Sequence, residues 1–134
     1  MMIDRNTGTI SFSLGDVSRT FNKAQFLDTP IGRAAKESLV NANWSHYEID
    51  PEDDVVGTVL FDGNAIDRIF LSMRMKSDES EEWSVELELQ RKARHEEWLQ
   101  DAMGQPPYRY CWGRVVSEFD PKGLASEIII VYDR

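Results

Sequence analysis

The stretch VVGTVLF-DGN-AIDRIFLSMRM, from Val55 to Met75, constrains the fold more than any other part of the chain. Two runs rich in β-branched and apolar residues flank a turn at Asp62, Gly63 and Asn64. Glycine and asparagine tolerate positive φ, so such a turn joins antiparallel neighbours. In the second run Ile69, Leu71, Met73 and Met75 share one face, and Phe70, Ser72 and Arg74 share the other. A lone hairpin is barely stable in water, so further strands or a helix must cover its apolar side. With 41 % apolar residues the chain can supply that cover. Its 134 residues are expected to form a single domain, 1–134.

More strand patterns flank this hairpin. TISFSLGD sets Ile10, Phe12 and Leu14 against Ser11 and Ser13, and WSHYEI (Trp44 to Ile49) mixes aromatic and polar positions. YRYCWGRVVSEFD and SEIIIVYD are two further strands. They are joined through DPKG, where Pro121 presets a turn and Gly123 is expected to take positive φ. DPEDD (Asp50 to Asp54) has the composition of a loop. DTPIGRAAKESLVN, with Ala, Lys and Glu after Pro30, fits a short N-terminal helix or an irregular connection.

WSVELELQRKARHEEWLQDAMG (Trp83 to Gly104) begins with strand-like alternation, yet it contains no Gly or Pro before Gly104. Strands usually stop near 5 or 6 residues, so the length argues for a helix. Asp78 and Glu81 have capping-box spacing, Glu81 and Glu82 suit a helix N-terminus, and Gly104 with Pro106 and Pro107 forms a stop. One helix over about 78–103 is therefore expected. Trp83, Leu87, Trp98 and Ala102 would lie near one side, with Val85, Leu89, Leu99 and Met103 adjoining. Glu88 and Lys92 would pair at i,i+4. The expected architecture is α+β: a mostly antiparallel sheet of about five or six strands covered by this helix.

The usual signatures of chemistry are missing. His95 has Arg91 and Leu99 at i±4, so no helical metal pair forms, and His46 lies on a strand. A zinc site wants about four clustered Cys, His or acidic ligands, and neither a metal nor a cofactor is expected. Cys111 is the only cysteine. In mid-strand between Tyr110 and Trp112 it reads as a buried, inert thiol rather than a nucleophile. No serine sits in a nucleophile elbow and no glycine-rich turn precedes Lys-Ser/Thr. Carboxylate pairs remain, such as Glu96, Glu97 and Asp101, but acid–base work needs one carboxyl desolvated and another not. The chain is expected not to be an enzyme.

Charge points to the class of partner. Twenty-four acidic residues against fifteen basic give a net charge of −9, which repels nucleic acid and steers a basic polypeptide inward. The first residues lack the basic-then-apolar pattern of a secretory signal, and the longest apolar run, IIIVY, is too short for a membrane helix. A cytoplasmic protein without a membrane partner is expected.

From Trp83 to Tyr132 the chain resembles a family of small bacterial immunity proteins encoded beside polymorphic toxins, including contact-dependent inhibition and Rhs-type systems. The resemblance rests on Glu88, Arg91, Lys92, His95, Trp98 and Leu99 on the helix, then Gly104, Tyr110, Trp112 and Gly113, then Ser117, Asp120, Ile128, Ile130 and Tyr132. It implies a protein that binds its cognate toxin domain in the producer's cytoplasm and blocks it without catalysis. Many such toxins are basic nucleases. In this reading Arg91, Lys92, His95, Trp98, Trp112, Gly113 and Asp120 are scaffold, with Arg91, Lys92 and His95 bonding strand ends or Asp120. The toxin-binding candidates are the acidic segments Asp50, Glu52, Asp53 and Asp54, and Asp78, Glu79, Glu81 and Glu82. Two other classes compete: a small-ligand-binding or enzymatic cone-shaped α+β domain with a pocket lined by Trp44, Tyr47, Tyr110 and Trp112, and a homo-oligomeric structural module, for instance a homodimer, joined by an exposed strand edge.

Overall fold

The computed structural model describes residues 1–41, 43–80 and 82–134. Along the chain the elements are β1 (Met2–Ile3), β2 (Ile10–Phe12), β3 (Gly15–Val17), α1 (Lys23–Leu27), α2 (Pro30–Ala34), β4 (Lys36–Asn41), β5 (Trp44–Glu52), β6 (Val55–Asp62), β7 (Ala65–Met73), α3 (Ser77–Ser80), α4 (Val85–Met103), β8 (Tyr108–Tyr110), β9 (Gly113–Asp120) and β10 (Ala125–Tyr132). Seven strands form an antiparallel sheet in the order β4-β5-β6-β7-β10-β9-β8, and β1, β2 and β3 form a second, small sheet. The α+β class is as expected, but there are more strands than the sequence patterns indicate.

The DGN hairpin lies at the centre. Asp62 pairs with Ala65, and Gly63 takes φ 60° in the connecting turn. Ile69 and Leu71 of β7 are fully buried, with Ile128 and Ile130 of β10 beside them. Helix α4 covers this face over β7, β9 and β10, while Phe26 of α1 packs on Tyr47 and Phe61. The opposite face carries Thr58, Phe70, Glu118, Glu127 and Ile129, all half-buried or exposed.

Several boundaries differ from expectation, each for a local reason. The helix starts at Val85, not near 78, because Ser84 caps it by accepting from the Leu87 N–H at 3.1 Å. Asp78 belongs to the separate turn of α3, where its carboxylate accepts from the Met75 N–H at 2.7 Å. The expected Asp78–Glu81 box cannot be described, since Glu81 lies outside the described residues. Trp83, Val85 and Leu89 are exposed. The buried row is Leu87, Arg91, His95, Leu99 and Met103, at four-residue spacing, with Glu88 beside it.

The expected short helix after the first segment is α2 (Pro30–Ala34), capped by Thr29, and the rest of that stretch, Lys36–Asn41, is an edge strand with all six residues exposed. DPEDD is half strand: Glu52 pairs with Val55, leaving Asp53 and Asp54 as the turn. Leu14 sits in the β2–β3 turn, 42 % exposed, instead of continuing its strand. YRYCWGRVVSEFD is not one strand, because Cys111 and Trp112 form a tight turn between Tyr110 and Gly113. Cys111 is therefore exposed, not buried. At DPKG the left-handed residue is Leu124, at φ 55°, not Gly123. Gly123 is limited by space instead: a Cβ there would come 2.7 Å from the Asp120 carboxylate.

Candidate functional site

Arg91 and His95 of α4 converge on the end of β7, with Glu88 beside them. Arg91 Nη1 donates to the Met73 carbonyl, and the Met73 N–H donates to His95 Nε2 at 3.0 Å. One helix thus bonds both main-chain polar groups of the last residue of the strand. Arg91 Nε also donates to Glu88 Oε1 at 3.2 Å, and its other end pairs with Asp78. Glu88 Oε1 in turn accepts from the Ser126 N–H at 3.0 Å, and the Ser126 hydroxyl donates to the Glu88 carbonyl. The cluster therefore pins α4 to the end of β7 and the start of β10.

Burial decides what these groups can do. Glu88, Arg91 and His95 are 5 %, 8 % and 0 % exposed. A buried charge needs a hydrogen-bonded partner, and Glu88 and Arg91 supply each other. The hydrogen bond from Arg91 holds the Asp78 carboxyl below its ordinary range. Burial, aided by the Arg91 charge, lowers His95 to about 4. His95 is thus neutral, and its accepting nitrogen is engaged by Met73, which assigns the ring proton to Nδ1. That Nδ1 is buried without a partner. A general base must reach a substrate proton, and the occupied Nε2 does not. Among the described residues no group of three or more His, Cys, Asp or Glu is placed to hold a metal.

The other scaffold residues are more scattered. Lys92 pairs with Glu96 rather than Glu88, on the solvent side of the buried row. Trp98 packs partly buried against the core. Trp112 is fully buried, donates from Nε1 to the Arg5 carbonyl at 2.9 Å and stacks on Tyr110. Gly113 follows at φ 152°, and a Cβ there would come 2.0 Å from the Val131 carbonyl oxygen. Asp120 bonds none of Arg91, Lys92 and His95; its Oδ1 accepts from the Lys122 N–H within its own turn.

The two acidic segments come together around Arg74. The Arg74 N–H donates to the Asp54 carbonyl at 2.7 Å, its Nη1 donates to the Asp53 carbonyl at 2.7 Å, and its Nη2 reaches Asp50 at 3.2 Å. Asp53, Asp54 and Glu79 share one hollow with Arg74, Lys76 and Arg94, so the surface is of mixed sign. Glu52 is engaged by the Met1 nitrogen and the Ser13 N–H, and Asp78 by Arg91. Asp53, Asp54, Glu79 and Glu82 are exposed. Glu81 again lies outside the described residues.

The four aromatics proposed for a pocket do not line one together: Tyr110 and Trp112 stack on each other, but Trp44 and Tyr47 lie apart from them. Tyr47 belongs to a cluster with Phe26 and Phe61, Trp112 to one with Tyr110 and Tyr132, and Trp44 is 39 % exposed. A cavity of about 480 Å³ does open elsewhere, between α4 and β9. Leu99 and Val115 form its floor, Pro106 and Pro107 one rim, and Ser117 lines its wall. Sequence reasoning missed it. The signal was the proline pair, which lacks the N–H groups needed to pair along β9.

No protein-family model matches the chain, and neither a curated protein nor a solved structure is significantly similar to it.

Proposed function

We propose that this chain is a non-catalytic immunity protein, which binds a basic toxin domain such as a nuclease in the producer's cytoplasm and neutralises it by occlusion. The observation that carries the reading is how the charged residues are divided. The buried titratable groups of α4 are engaged in holding helix to sheet, whereas the carboxylates of Asp53, Asp54, Glu79 and Glu82 stay on exposed turns. Net charge of −9 adds a field that speeds encounter with a cationic partner. Affinity then comes from a few anchors, since exposed ion pairs contribute little by themselves. Among the described residues no helix is long and apolar enough to cross a membrane.

The cavity beside Ser117 favours a second reading, a small-ligand-binding domain. One wall of that cavity is a strand edge, which suits an extended polypeptide better than a compact metabolite. Co-expression with the C-terminal segment of the adjacent gene's product tests the first reading. Growth rescue and co-purification are expected. Failure of both contradicts it, and a thermal shift with a metabolite but not with that segment supports the second reading.

A further inference from the structure

Strand β9 is longer than its outer neighbour. Tyr108 pairs with Val115 and Tyr110 with Gly113, and β8 extends no further. Hydrogen-bonding direction alternates along an antiparallel strand. The N–H and C=O groups that Gly113 and Val115 turn toward β8 are therefore followed on the same side by those of Ser117 and Phe119. Beyond Tyr108 the ladder stops: Pro107 and Pro106 have no N–H to donate, and they line the same cavity as Ser117 without pairing with it. Ser117 and Phe119 thus present an open ladder edge. The Ser117 hydroxyl, on the cavity side, is buried without a hydrogen-bond partner. Buried polar groups without partners are uncommon in folded proteins.

The two flanks of this edge differ in chemistry. Inward lies the cavity of about 480 Å³, with Leu99 and Val115 against it. Outward, Glu118 is directly opposite Glu127 on β10. Like charges at that position repel, and neither belongs to an ion pair among the described residues. Arg68, the cation of the adjoining hollow, is engaged by Asp67 at 2.8 Å. Burial raises the Glu127 carboxyl above its ordinary range, helped by Asp120 and Glu88. A cation added beside Glu118 would relieve this repulsion. Arg109 and Arg114 lie at the other end of the cavity, so a basic residue is favoured only toward Asp120.

We propose that the free edge of β9 from Ser117 to Asp120 accepts an extended segment of the partner polypeptide as an eighth strand of the sheet, with an apolar side chain opposite Ser117 filling the cavity and a Lys or Arg opposite Glu118. Main-chain bonds to Ser117 and Phe119 hold the segment, the cavity selects its apolar residue and the Glu118–Glu127 pair selects its charge. The proposal rests on the reading of the chain as an inhibitor of a basic protein, and it names the surface used.

The test uses the full chain and two labelled peptides of equal length, one alternating Val with Lys and the other Val with Glu. The Val-Lys peptide is expected to bind, slowing amide hydrogen exchange at Ser117 and Phe119; the Val-Glu peptide is not. Ser117→Pro removes the edge donor while leaving the β9–β10 bonds intact, because those come from Val116 and Glu118. It should weaken binding roughly tenfold. Glu118→Lys, which alters only an exposed side chain, should weaken it similarly and serves if Ser117→Pro fails to fold. Equal binding by both peptides, or affinity unaffected by Glu118→Lys, overturns the proposal. So does strong protection of the Ser117 and Phe119 amides in the free chain, which would mean that a second copy already covers the edge. Peptide binding without growth rescue would sink the inhibitor reading alone. Rescue by Glu118→Lys at wild-type strength, with no peptide binding, would sink the groove alone.

Discussion

Met73 ends its strand with both main-chain groups bonded to side chains of α4, and this makes the polar residues of that helix structural. Arg91→Met would leave Glu88 as a buried charge without its partner and the Met73 carbonyl without a donor. A loss of about 3–5 kcal/mol in urea unfolding is expected. Adding Glu88→Gln should recover part of that loss, because the amide can still accept from Ser126 while no charge is stranded; a double variant no more stable than Arg91→Met would contradict the clamp. His95 adds a pH dependence. In the folded chain it stays neutral down to about 4, whereas an unfolded histidine takes up its proton near 6.5. Protons therefore bind preferentially to the unfolded state between those values. The contribution is complete above 6.5 and lost as pH falls toward 4, amounting to about 2–3 kcal/mol. His95→Gln should flatten the stability difference between about pH 7.5 and pH 4.5 by that amount.

At the level of elements, the sequence was most readable where composition and geometry agree. The DGN hairpin and SEIIIVYD have β-branched runs bounded by turn residues, and both lie where expected. The buried face of α4 was not readable. Glu88, Arg91 and His95 look like solvent residues until their partners on β7 and β10 are in place, and no single-chain periodicity contains those partners. Lys36–Asn41 was hidden for the opposite reason: a fully exposed edge strand has no apolar alternation to announce it. The break at Cys111–Trp112 was signalled only by Gly113, whose φ of 152° and contact with the Val131 carbonyl leave no room for a side chain. Gly113→Ala is accordingly expected to destabilise by at least about 3 kcal/mol, read from the midpoint of denaturant unfolding. Wild-type stability in that variant would mean that the hairpin closes differently.

For the molecule as a whole, charge and one open edge carry the functional reading. The candidate acidic segments, 28 residues apart from Asp50 to Asp78, meet around Arg74 only because the β5–β6 turn and the end of β7 lie side by side. Asp78 is engaged by Arg91, so the charge test belongs to Asp53, Asp54 and Glu79. Reversing those three to Lys should slow association with the partner roughly tenfold at low salt, with circular dichroism unchanged. An unaltered on-rate would remove these turns from the interface. The β9 edge was out of reach of sequence reading for a related reason: whether Ser117 is paired depends on where β8 stops, a property of two segments at once.

The central claim is that protection requires one chain for each toxin molecule, with no bond made or broken. Residual toxin activity measured against increasing amounts of purified chain, wild type and His95→Gln, tests it most directly. Activity is expected to fall linearly to zero at an equimolar ratio, equally for both proteins once each is folded. Complete protection far below equimolar amounts, lost in folded His95→Gln, would contradict it.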